Sequence, residues 1–182
     1  MPLVNHRRAL LLLGVLGLVV LALAGSFGPT KRSVAKPENR PQLAQDFFRK
    51  GLTNHLLSAE AEAGARSGLL ESAAKNYEIV VRDFADQPQW AAQAARSLGN
   101  VRVEQGRLRE AVQLYASVEK AYPTWDWEVL QSWKSAADLL WESGQQPQAR
   151  QYYAKIVQRF HSGDSTPIMK LIVRASQRRL DS

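Results

Sequence analysis

The chain has 182 residues, no cysteine, three histidines and a formal charge of +7. The absence of cysteine excludes disulfides, thiolate metal sites, thiol nucleophiles and an acylated lipoprotein anchor. His6, His55 and His161 lie far apart with no carboxylate at metal-ligand spacing, so neither a metal site nor a bound cofactor is expected.

Residues 1–8 form a short basic tail ending in Arg7 and Arg8, and residues 9–28 carry no charge. Its Leu/Val-rich part, Ala9 to Gly25, would extend roughly 26 Å as a helix, close to a hydrocarbon core. The expectation is a single transmembrane anchor. The same pattern also describes a signal peptide, with Ala22-Leu23-Ala24 as the cleavage site. A short basic tail followed at once by a leucine run is how exported chains begin, so the rest of the protein is expected outside the cytoplasm. Residues 29–41, with three prolines and several charges, read as an extended linker. From Lys31 onward 22 basic residues face 17 acidic ones, interleaved, as on an ordinary solvated surface.

Residues 42–182 are organised by a period of 38. Gly68, Gly106 and Gly144 each open one pattern: alanine at Ala73, Ala111 and Ala149, then tyrosine at Tyr77, Tyr115 and Tyr153. Val80, Val118 and Ile156 follow, then Phe84, Tyr122 and Phe160. Upstream stand small residues, Ala61, Gly99 and Ala137, with Ala175 continuing the series. Each glycine is expected to end a first helix in the left-handed conformation and to turn the chain into a second. In the middle copy Leu108, Ala111, Val112, Tyr115, Val118 and Tyr122 share one helix face, which Pro123 closes. Pro147 fits a first helical turn, and Thr166-Pro167 is an N-cap and N1 pair ahead of Ile168, Leu171, Ile172 and Ala175. No strand pattern is present, and the predicted fold is all-α.

These residues resemble the tetratricopeptide repeat (TPR) family. Leu98-Gly99, Gly106, Ala111, Tyr115 and Pro123 fit its motif best, as do Trp133, Ala137, Gly144, Ala149 and Tyr153 in the third copy. The first copy departs most, with Glu60 for the leucine and Ala85 for the proline, and the period exceeds the family's usual ~34 residues. The resemblance implies a short α-solenoid of three helix pairs, at 52–87, 90–125 and 128–163, with a capping helix at 166–181. It implies a concave groove for a peptide or partner helix, lined by Arg96, Asn100, Val103, Lys134, Asp138 and Trp141. Ser58, Glu62, Ser97, Gln131 and Ser135 occupy places where related modules hold a carboxylate clamp, so no clamp for a chaperone tail is expected.

Trp125 and Trp127 are either an exposed loop anchor or a plug for the groove between repeats, with packing preferred, and Trp133 and Trp90 are expected to be structural. The basic side of the last helix, Lys170, Arg174, Arg178 and Arg179, could touch phosphates of lipid or nucleic acid, though a solvated face is the default. No nucleophile with a base, paired carboxylates or phosphate loop is visible, so no catalytic residue is expected. The partners expected are other proteins, and the membrane through the N-terminal helix, with no nucleic acid and no small-molecule substrate. Repeats longer than usual that end in an aromatic and proline look like those of bacterial envelope proteins, and this resemblance implies a scaffold tethered in a bacterial inner membrane that recruits or holds components of an envelope complex. The alternatives are a cleaved, soluble, chaperone-like holder of exported clients and a purely structural subunit of a membrane complex.

Overall fold

A computed structural model describes residues 37–161 and 166–182, all in helices and short connections. A 3₁₀ turn, Pro37–Asn39, leads into α1 (Arg40–Glu60), so the expected linker gives way to helix four residues before Pro41. There follow α2 (Ala63–Asp83), α3 (Pro88–Glu104), α4 (Leu108–Ala121), α5 (Asp126–Glu142), α6 (Gln146–Phe160) and α7 (Pro167–Asp181). None of these helices is long and apolar enough to cross a membrane. The predicted anchor, 9–28, lies outside the described residues.

The connections inside and between the pairs α1–α2, α3–α4 and α5–α6 are two to four residues long, which forces antiparallel neighbours. Each helix packs on the next, and α1, α3, α5 and α7 also touch in succession, whereas α2, α4 and α6 do not touch one another. The odd helices therefore form the tighter, inner row, and the surface they share is concave. The central helix α3 meets α1, α2, α4 and α5, and buries Ala91, Ala92, Ala94 and Ala95, small side chains that let four neighbours approach.

The tyrosine of each second helix is the core of its pair: Tyr77, Tyr115 and Tyr153 are buried. Gly99 lies so close to Tyr115 that a Cβ there would come within 2.5 Å of the ring, and Ala137 occupies the equivalent place in the third pair. In the first pair the residue against Tyr77 is Gly51, whose Cβ would meet that ring at 2.8 Å. Ala61, assigned to this place by the period, is instead the C-cap of α1. The first pair is thus out of register by ten residues, because α1 runs about one turn and α2 about two turns past their counterparts. Gly106 and Gly144 take φ of +73° and +76° and make the expected turns. Gly68 does not, because it lies inside α2 with open space around it, and the turn falls at Ala61 and Glu62.

The last helix is displaced too. Its N-cap Thr166, whose side chain accepts from the Met169 amide at 3.4 Å, answers to Trp125 41 positions earlier, three more than the period. Consequently Met169, Ile172 and Val173 pack on the core, while Ile168 and Leu171, expected on the buried face, are 54% and 62% exposed.

Candidate functional site

The concave face is built from equivalent positions of the odd helices. With the register set by Gly51, Gly99 and Ala137, Leu52, Asn100 and Asp138 fall together, as do His55, Val103 and Trp141, and Leu56, Glu104 and Glu142. The three helices project these side chains inward because their opposite faces carry the apolar residues that hold the tyrosines.

Two cavities open along this face. One, of about 420 Å³, is lined by His55 of α1, Asn100, Val103 and Glu104 of α3, and Asp138 and Glu142 of α5, with Tyr115 and Ser135 in its wall. The other, of about 490 Å³, lies between α5 and α7 and is lined by Lys134, Asp138, Trp141 and Glu142 from one side and Ala175, Arg178 and Arg179 from the other. Asp138 and Glu142 belong to both, so the two form one trough.

Hydrogen bonds fix the polar lining. The Tyr115 hydroxyl donates to Asn100 Oδ1 and the Tyr153 hydroxyl to Asp138 Oδ1, each at 2.7 Å, and Lys134 pairs with the other Asp138 oxygen. Glu104 accepts from Arg66 of α2 at 2.9 Å and meets His55 Nε2 at 2.6 Å, tying three helices together at the rim. Burial pushes the Tyr115 phenol up to about 12, against the opposing Ser135 hydroxyl and the charge of Arg96. Burial raises Tyr153 as well, and its bond to the Asp138 carboxylate adds to the effect. Trp141 is held edge-on to Tyr153, with the guanidinium carbons of Arg179 and Arg150 4.9 and 5.7 Å from its ring centre.

Of the predicted groove residues, Asn100, Val103 and Asp138 meet in the first cavity, and Lys134, Asp138 and Trp141 in the second. Arg96 lines neither. Its guanidinium donates to the buried Glu128 carboxylate at 2.5 Å and joins α3 to α5. The tryptophan pair divides: Trp125 packs on the core beneath the α4–α5 connection, while Trp127 is 38% exposed. Trp133 is core, and Trp90 packs against Phe48 with ring centres 5.6 Å apart.

Sequence reasoning missed Leu52, His55 and Leu56, because the 38-residue period places all of α1 out of register. The signal that finds them is Gly51, the one glycine ahead of Tyr77 that can face a tyrosine from inside a helix. Leu52 and Leu56 are 38% and 64% exposed, an apolar lip at the α1 end of the trough. Among the described residues no group of three or more histidine, aspartate or glutamate side chains is placed to hold a metal ion.

No protein family, curated protein or solved structure matches the chain.

Proposed function

We propose that the protein is a membrane-tethered interaction scaffold of the tetratricopeptide-repeat kind, whose concave face holds a peptide segment or helix of another protein. In this reading the N-terminal apolar segment anchors the chain in a bacterial inner membrane, with the helical domain on the extracytoplasmic side. The role is binding rather than catalysis.

The observation that carries this reading is the trough along the inner row of helices. It joins two cavities, and Leu52 and Leu56, 38% and 64% exposed, stand beside His55 at its α1 end. An exposed aliphatic pair beside a polar floor offers a partner both apolar area and hydrogen bonds that fix register. The polar groups are already held by Tyr115, Tyr153 and Arg66, so little order remains to be lost on binding.

A photo-crosslinking side chain placed singly at Leu56, Asn100 or Glu142, in full-length protein in its own membranes, tests the assignment. The same defined proteins should be captured from all three positions and none from Lys120 or Ala154 on the outer helices. Capture from the outer positions alone would overturn the groove assignment.

A further inference from the structure

Outside α7, nine of the fifteen described lysines and arginines form ion pairs, Arg66, Arg96, Arg102, Lys134, Lys155 and Arg159 among them. Along α7 this fails. Lys170, Arg174 and Arg178 stand four residues apart on one line of the helix, and none of their side chains makes an ion pair or hydrogen bond among the described residues. Asp181, the only acid on α7, accepts from Gln177, and Arg179 lies over Trp141. Like charges one turn apart oppose the helix that carries them. At the other end of the domain the exposed surface of α1 mixes signs, with Asp46 beside Arg49 and Lys50. Next to the α7 cations stand Ile168 and Leu171, both more than half exposed.

Three classes of partner are distinguishable. A further stacked helix is disfavoured, because the positions by which α5 receives α6, namely Leu130, Trp133, Ala137 and Leu140, correspond in α7 to Leu171, Arg174, Arg178 and Asp181. A bulky aromatic and a small residue are thereby replaced by two arginines. Nucleic acid would call for stacking side chains, and α7 has no aromatic residue. A row of cations bordered by exposed aliphatics suits an anionic lipid surface, phosphates meeting the charges and the aliphatics entering the headgroup–acyl boundary. We propose that the solvent-facing side of α7 docks on anionic lipid through Lys170, Arg174 and Arg178, the last at the edge shared with the α5–α7 cavity, with Ile168 and Leu171 dipping into the interface. The proposal rests on the tethered reading above only for the presence of a membrane nearby.

The chain has no cysteine, so Gln177→Cys gives a single site for an environment-sensitive fluorophore on this face. The labelled full-length chain is reconstituted with phosphatidylcholine vesicles, with or without phosphatidylglycerol, some carrying brominated acyl chains. Flotation reports the tether, and bromine quenching reports docking of α7. The expected result is flotation in both lipids with quenching only where phosphatidylglycerol is present. Each of Lys170→Glu, Arg174→Glu and Arg178→Glu should weaken docking at least about fivefold. Flotation in both lipids with an unquenched label overturns the docking proposal and leaves the tether standing. Flotation and quenching only with phosphatidylglycerol supports docking and overturns the tether. Failure to float in either lipid overturns both.

Discussion

Tyr77, Tyr115 and Tyr153 occupy one place in successive helix pairs, but their hydroxyls differ in what they meet. Asn100 and Asp138 accept from the second and third. Their counterpart in the first pair is Leu52, which cannot accept, and the buried Tyr77 hydroxyl makes no hydrogen bond of normal geometry, although the Ser97 hydroxyl lies near it. A buried polar group left unmatched costs free energy, whereas a matched one contributes about 1 kcal/mol. Tyr115→Phe should therefore destabilise the domain by about 1 kcal/mol, and Tyr77→Phe should be neutral or stabilising. Urea unfolding of both variants decides it, and equal losses would show that the Tyr77 hydroxyl has a partner after all. The same burial governs the response to alkali. The phenols of Tyr77 and Tyr115 are pushed from the ordinary 10 up to about 12, so their contribution is intact below pH 10 and is lost as pH rises towards 12. Phenolate absorbance should accordingly appear together with the loss of helical circular dichroism, and not ahead of it.

At the scale of helices and turns, the three glycines that mark the repeat are not alike. Gly106 and Gly144 lie at positive φ, where any side chain is strained, while Gly68 sits in the interior of α2 with no atom near a would-be Cβ. Gly68→Ala should stabilise the domain by about 0.5–1 kcal/mol through helix propensity, and Gly144→Ala should destabilise it by about 1 kcal/mol or more. A melting temperature that falls for Gly68→Ala would restore Gly68 as a turn residue. The contrast also explains what the sequence makes legible. The elements from α3 to α6 can be read because both turn glycines and the pairing of a small residue with tyrosine keep one spacing. The first pair hides because its helices lengthen without disturbing Ala73, Tyr77, Val80 and Phe84, so the period persists in α2 while α1 slips beneath it. The last helix hides because three residues added before Thr166 turn it by most of a revolution, exposing Leu171 and burying Val173. Groove residues on α3 and α5 could be named in advance, but not Leu52, His55 or Leu56. Nor does spacing reveal that Arg96 is held by Glu128, since that pairing depends on how α3 and α5 face each other.

At the largest scale the described helices, α1 to α7, form a row in which each touches only near neighbours, so stability should be local rather than shared equally. The last helix contacts α6 and α5 alone, where Met169, Ile172, Val173 and Leu180 pack over the cluster that contains Trp133, Tyr153, Ile156 and Phe160. Arg150 also donates to the Leu180 carbonyl at 2.6 Å. Four partly buried apolar side chains amount to about 4 kcal/mol or more of lost burial, a large share of the ~5–15 kcal/mol that holds a domain together. Ending the chain after His161 should therefore strip the third pair first. Hydrogen exchange of the shortened protein is expected to show much weaker protection in α5 and α6, with α1, α2 and most of α3 close to the full-length values, because none of them touches α7. Ile172→Ala, which keeps the helix but trims its contact, should shift protection in the same two helices by a smaller amount. Equal loss of protection along all the helices would mean that the domain unfolds as one unit, and that the inner row transmits the loss of its end to the α1 lip of the trough.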